Sequence, residues 1–120
     1  DKITQKIYLH EMDVLNMDQF NQEIDNALSA RLAGNEGKAR VCARRAAGLA
    51  AAEYLKLRGI PLSGPSAYDH LQLLHRLPDK PKASQEIIER LLMRVRTDFT
   101  LPIEADLIED ARQLKRILIE

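Results

Sequence analysis

The chain has 120 residues, which suits a single domain and leaves little room for a second hydrophobic core. Eighteen basic residues balance eighteen acidic ones, so the net charge is zero and there is no global field to attract nucleic acid or an anionic membrane. Apolar residues make up 45% and charged residues 30%, a composition that excludes wholesale disorder.

Residue usage argues against several further kinds of site. No apolar run of about eighteen residues and no basic-then-apolar leader is present, so we expect no membrane association and a cytoplasmic location. Cys42 is the single cysteine, which excludes an intramolecular disulfide and a multi-cysteine zinc site. Its apolar neighbours predict a small core residue rather than a nucleophile. Aromatic residues are too few, at 4% with no Trp, to suggest a base-stacking platform.

The first predicted helix covers about Met17 to Leu32. Apolar residues recur there at spacings of three and four, which is the pattern of one buried helical stripe. Gly34 predicts the end of this helix. Residues 1–16 contain apolar side chains without clear caps or a consistent period, so they are interpreted as an N-terminal arm or a short helix. The stripe consists of Phe20, Ile24, Ala27, Leu28 and Leu32.

The second predicted helix is the longest. Asn35 is a suitable N-cap, with Glu36 at the positive end of the helix dipole, and Gly59 predicts the end of the helix after Arg58. Between residues 39 and 57 the apolar positions surround most of the circumference. A helix that is apolar nearly all round is expected to be the central, buried one.

Three shorter helices follow a loop rich in Gly and Pro over residues 59–65. Ser66 and Asp69 form a capping-box start for the third helix, and Pro78 predicts its end. Ser84 is expected to cap the fourth helix. The last helix is expected from about Ile103, because acidic residues come early and basic residues late, in accord with the helix dipole.

No stretch alternates strictly enough between polar and apolar residues to predict a strand. The fold class is therefore predicted to be all-α. Four or five helices with short links favour an antiparallel up-and-down bundle, and residues 17–120 are predicted to form one such domain.

The second helix is basic although the whole chain is neutral. Between residues 38 and 58 six cations face one acid, Glu53, which gives this segment a local net charge of +5. One interpretation is a solvated rim that pairs with acidic neighbours from residues 1–34. The other is an anion site for phosphate, nucleotide or RNA backbone. The cations are Lys38, Arg40, Arg44, Arg45, Lys56 and Arg58.

The same helix presents a surface of small residues across nearly two turns. Small side chains let helix backbones approach closely, so another helix is expected to pack there. That helix could come from the same chain or from a second protomer, which leaves a homodimer open. The small residues are Ala46, Ala47, Gly48, Ala50, Ala51 and Ala52.

The three histidines do not form a recognisable centre. His70 and His75 lie five residues apart on a helix, a spacing that does not bring both rings to one point, so no metal site and no cofactor are expected. No nucleophile arrangement, phosphate-binding glycine loop or H-E-x-x-H motif can be assembled, so no catalytic residue is assigned. For His70 two interpretations stay open: a hydrogen-bonded or surface residue, or part of a functional cleft.

Residues 43–55 read ARRAAGLAAAEYL, followed by the loop Gly59-Ile60-Pro61 and by the sequence DHLQLL from Asp69. Together with the order of the later helices, this region resembles the HEPN superfamily, nucleotide-binding helical domains of higher eukaryotes and prokaryotes. The resemblance spans about Ala39 to Glu120. It implies an up-and-down bundle, commonly dimeric, in the bacterial cytoplasm, beside a nucleotidyltransferase partner or in a toxin–antitoxin pair.

Many members of that family are ribonucleases marked by Arg, four to six residues, and then His. This chain departs from the pattern, since residues 63–65 before His70 and 68–70 before His75 contain no Arg, and no Arg precedes His10. The resemblance therefore implies a non-catalytic member. The residues expected to bind a ligand are Arg40, Arg44, Arg45, Tyr54 and His70.

Three hypotheses follow from the sequence. The first is a dimeric helical binding domain that engages a nucleotide, RNA or a partner protein through the basic helix and the region of His70. The second is a degenerate ribonuclease that uses a less usual Arg/His arrangement between protomers. The third is a protein-interaction scaffold that uses the N-terminal arm or the alanine-rich face.

Overall fold

A computed structural model describes the backbone of residues 2–94 and 105–120 and the side chains from residue 17 onward within those ranges. The described residues contain five helices and no strand, so the predicted all-α class is confirmed. Ile103, the expected start of the last helix, lies outside the described residues. The helices are α1 (Lys2–Leu32), α2 (Glu36–Leu57), α3 (Ala67–Arg76), α4 (Ser84–Leu92) and α5 (Leu107–Ile119).

Helix α1 is longer than the sequence pattern predicts. It begins at Lys2 instead of about Met17, so the boundary expected between residues 16 and 17 falls inside one continuous helix. The chain has no Gly or Pro before Gly34, and nothing therefore interrupts a helix over this stretch. Gly34 ends α1 with a positive φ of 78°, as predicted.

The local end signals of α2 and α3 are confirmed. The Asn35 side chain accepts a hydrogen bond from the backbone N–H of Lys38, and Gly59 follows α2 with a φ of 71°. Ser66 and Asp69 form the complete capping box at the start of α3.

The starts of α4 and α5 differ from the predictions. Ala83, not Ser84, is the N-cap of α4, and the Ser84 hydroxyl instead donates to the carbonyl oxygen of Pro81 at 2.6 Å. Helix α5 begins at Leu107 because Asp106 caps it by accepting from the N–H groups of Ile108 and Glu109. Asp106, which the sequence pattern places in the first turn of the last helix, is therefore the N-cap of α5.

Helix α2 is the central helix, as predicted. It packs against α1, α3 and α5, while α4 packs against α3 and α5. The small residues of α2 are buried against helices of the same chain, and Cys42 lies in the same core. Larger side chains of the other helices fill the remaining space; they include Phe20, Ile24, Leu71, Leu74, Ile88, Leu91, Ile108 and Leu114.

A charged cluster joins the ends of three helices. The Arg31 guanidinium at the end of α1 lies 2.7 Å from Oε1 of Glu36, the first residue of α2. The same guanidinium lies 3.1 Å from Oδ1 of Asp106, the cap of α5. One cation thus holds together the first turns of α2 and α5 and the last turn of α1.

A fall in pH is expected to weaken the cluster of Arg31, Glu36 and Asp106. Burial opposes ionisation of Asp106, but the Arg31 hydrogen bond, the N–H groups of Glu109 and Ile108 and the charge of Arg31 outweigh it, so the pKa of Asp106 lies below its ordinary value. An unfolded aspartate has a pKa of roughly 3.9. The stabilisation is therefore complete above that value and is lost as the pH falls through the lower folded pKa.

The effect is small because the Asp106 side chain is 55% exposed, and we expect less than about 1 kcal/mol. Urea unfolding from neutral pH to about pH 3 measures it. An Asp106→Asn variant, which keeps the cap but cannot ionise, should lose stability less steeply between pH 5 and pH 3 than the parent, by on the order of this amount. Parallel profiles for the two proteins would contradict the assignment.

Candidate ligand-binding pocket

A pocket of about 350 Å³ opens where α1, α2 and the start of α3 meet. Its volume lies in the range of small-ligand sites. We call it the α1–α3 pocket. The side chains that line it are Gln19, Gln22 and Glu23 from α1, Arg45, Gly48 and Leu49 from α2, and Pro65, Ala67 and His70 from the following loop and α3.

The basic wall of the pocket is Arg45. Arg44 and Arg45 are neighbours on a helix, so their side chains project about 100° apart, and only Arg45 reaches the α1–α3 pocket. Arg45 is exposed, and the part of the chain that the structure describes offers it no ion pair or hydrogen bond. Its five N–H donors are thus available to an anion.

His70 also lines the pocket and is 9% exposed. Its Nε2 lies 3.0 Å from the carbonyl oxygen of Gly64, in the loop before α3. Because a carbonyl oxygen can only accept, Nε2 carries the proton and donates. His70 is therefore both a hydrogen-bonded residue and part of a cleft, which joins the two interpretations that the sequence left open.

Close packing of α2 and α3 shapes the back of the pocket. Gly48 lies directly beneath Ala67, the first residue of α3, and a Cβ at Gly48 would lie 2.5 Å from the Cβ of Ala67. Only a residue without a side chain permits this approach. The absence of bulk at both positions gives an apolar wall, to which Leu49 and Pro65 contribute.

Among the described residues that line the pocket, Glu23 is the acid. Its Oε2 atom is buried and has no hydrogen-bond partner among the residues described. An unpaired buried acceptor is uncommon in folded proteins and is unfavourable. Sequence reasoning missed Glu23 because it is one of several acids along α1, and no motif separates it from the exposed ones.

The structure places Arg44 away from this pocket. Its Nε donates to the carbonyl oxygen of Leu91 at 2.8 Å, and its other guanidinium nitrogen donates to that of Met93 at 2.9 Å. These carbonyls belong to the last turn of α4 and to its C-cap, where backbone carbonyls have no partner within the helix. Burial, and then the neighbouring charge of Arg40, lower the pKa of Arg44 below its ordinary value. Arg44 therefore caps α4 and lines a separate pocket.

Tyr54 also lies away from the α1–α3 pocket. Its hydroxyl accepts a hydrogen bond from Arg58 at 2.8 Å, and the same guanidinium lies 5.4 Å from the ring centroid. Arg58 in turn pairs with Asp79 in the link between α3 and α4. Of the five residues expected to bind a ligand, the pocket brings together Arg45 and His70, while Arg40, Arg44 and Tyr54 do not line it.

The predicted pairing of the basic helix with acids near the N-terminus is not seen for Arg44 or Arg58. Arg44 contacts backbone carbonyls and Arg58 contacts an acid that follows α3. Within the described ranges no group of three His, Cys, Asp or Glu residues could hold a metal ion. The arrangement in the pocket can bind an anion through Arg45 and hydrogen-bond donors through Glu23.

Comparisons with protein-family models, with curated proteins and with solved structures found no match to this chain. A search of the described helices for membrane spans found none that is both long and apolar enough.

Proposed function

We propose that the chain is a non-catalytic, HEPN-like helical binding domain that binds a nucleotide or a segment of RNA in the α1–α3 pocket. The observation that carries the proposal is the position of Arg45: an exposed guanidinium without a partner in the described structure, at the rim of a pocket that also contains His70. Phosphate is an anion that a guanidinium binds through two parallel N–H groups.

The size and walls of the pocket suit such a ligand. A nucleotide has a flat, largely apolar base and a charged phosphate, and the pocket offers Gly48, Leu49 and Pro65 beside Arg45. Because the whole chain has no net charge, the positive charge that attracts an anion is the local charge of Arg45. Binding of an anion therefore depends on this local field and should weaken as salt is added.

The remaining parts of the proposal rest on the family resemblance alone. They are a homodimer, a cytoplasmic location and a partner protein such as a nucleotidyltransferase in a toxin–antitoxin setting. The small-residue surface of α2 does not support the dimer, because the same chain already covers those residues.

Replacing Arg45 by alanine is expected to weaken nucleotide binding at least tenfold and leave the fold intact. Ligand at ten times its dissociation constant stabilises a protein by about 1.4 kcal/mol. For a domain of this size that is a rise in melting temperature of about 6 °C. Loss of a charge-assisted hydrogen bond costs about 1.5–3 kcal/mol, so affinity should fall at least tenfold in Arg45→Ala. Differential scanning fluorimetry with AMP, CMP, GMP, UMP and a short RNA measures both effects.

Lys56→Ala is the matched control, since Lys56 is an exposed cation of α2 that does not line the pocket. It removes the same charge and should retain the nucleotide-dependent shift. If no nucleotide or RNA shifts the parent protein, the binding function is wrong. A protein-interaction scaffold would then remain, with a stable hetero-complex as its signature. Equal losses in both variants would point to a diffuse charge effect instead of this pocket.

A further inference from the structure

One residue that lines the α1–α3 pocket, Glu23, has a hydrogen-bond acceptor that lacks a donor. Its Oε2 atom is buried, and no described residue donates to it. Buried acceptors in folded proteins are nearly always paired, so a pocket residue that leaves one unpaired is suited to a ligand that brings N–H groups.

Glu23 is placed to meet such a ligand. It lines the pocket from α1, across from Arg45 on α2, and no ion pair joins the two side chains. The terminal torsion of a glutamate is soft, so the carboxylate can rotate to present an oxygen to a ligand in the pocket. The carboxylate of Glu23 and the guanidinium of Arg45 thus remain unpaired with each other in one pocket. Each can therefore contact a different end of one ligand.

We infer that this pocket selects nucleotides whose base carries an exocyclic amino group, with Glu23 as the residue that recognises it; the inference rests on the proposed function. Adenine and cytosine carry an N–H₂ donor at the ring position, C6 and C4 respectively, where hypoxanthine and uracil carry a carbonyl oxygen. A carboxylate oxygen that faces this position accepts from the amino group and is repelled by the carbonyl oxygen. Arg45 holds the phosphate of all four nucleotides, so it supplies affinity and Glu23 supplies selectivity.

The test compares two pairs of ligands that differ mainly at that edge. Dissociation constants of AMP and IMP, and of CMP and UMP, are measured by isothermal titration calorimetry with the full chain. A hydrogen bond to a charged group changes affinity by on the order of tenfold to a hundredfold, so AMP should bind at least about tenfold more tightly than IMP, and CMP than UMP. Glu23→Gln should bring both ratios close to one.

Asp25→Asn is the matched control, because Asp25 is an exposed acid of α1 that does not line this pocket. It should keep both ratios. Binding of all four nucleotides with equal affinity, weakened in Arg45→Ala, would overturn the inference and leave the proposed function standing. A preference for amino bases that persists in folded Glu23→Gln would overturn the role of Glu23. Absence of binding by any nucleotide would overturn both. The comparison of ligands on the parent chain stands even if a variant fails to fold.

Discussion

Replacing Arg90 by alanine is expected to destabilise the protein by about 1–3 kcal/mol, the cost of leaving a buried acceptor without its hydrogen-bond donor. Arg90 on α4 and Asp110 on α5 form two parallel hydrogen bonds of 3.0 and 2.9 Å. The Asp110 side chain is only 9% exposed. Removal of the guanidinium leaves its carboxylate charged, buried and without its partner, and that penalty exceeds the loss of the attraction itself.

Chemical denaturation at neutral pH measures the change in free energy of unfolding. Arg116→Ala is the control: Arg116 also pairs with an acid of α5, Glu109 at 3.3 Å, but both side chains are largely exposed, so less than about 0.5 kcal/mol is expected. The double variant Arg90→Ala with Asp110→Ala should be more stable than the sum of the single changes, because no charge is left behind. An effect of Arg90→Ala no larger than that of Arg116→Ala would contradict the argument.

Arg44 and Arg90 together hold the last turn of α4. Arg44 reaches it from α2 by donating to two of its carbonyls, and Arg90 ties it to α5. The sequence makes Arg44 a candidate for ligand binding or part of a solvated rim, and it assigns no role to Arg90. Their partners lie 47 and 20 residues away in the chain, so sequence spacing contains no information about them.

Those features that depend on a few neighbouring residues could be predicted. The cap at Asn35, the capping box at Ser66 and the stops at Gly34 and Gly59 are settled by local hydrogen bonds and backbone conformation. The start of α4 could not, because Ser84 belongs to a residue type that is preferred at N-caps, as Ser66 does, although it has no acid three residues later. Its hydroxyl is instead buried and bonds to Pro81, a choice made by the surrounding structure.

In the candidate site, too, some features could be predicted from the sequence and others depend on the packing of the helices. The sequence predicts the basic character of α2 and makes His70 a candidate residue. It does not distinguish the roles of Arg40, Arg44 and Arg45. A rotation of about 100° separates each residue from the next on a helix, and the packing of α2 against three other helices decides which arginine faces which neighbour. Glu23 enters the site only through the packing of α1 on α2.

Replacing Gly48 by alanine is expected to destabilise the protein by about 1–3 kcal/mol even though alanine is the better helix former. A Cβ at this position would lie 2.5 Å from the Cβ and 2.6 Å from the Cα of Ala67. The second contact is with the backbone of α3, so no change of side-chain rotamer relieves it, and the start of α3 must move away from α2. Because Gly48, Ala67 and His70 all line the pocket, the same movement should also weaken nucleotide binding.

Gly37→Ala provides the comparison within the same helix. A Cβ there meets only Oδ1 of Asn35, at 3.8 Å, which is ordinary contact. The gain in helix propensity then acts alone and should stabilise the protein by up to about 1 kcal/mol. Thermal unfolding should therefore show changes of opposite sign for one and the same substitution, a lower melting temperature for Gly48→Ala and an equal or higher one for Gly37→Ala. If Gly48→Ala is as stable as the parent, α3 does not lie directly on α2 at this point, and the back wall of the pocket must be formed differently.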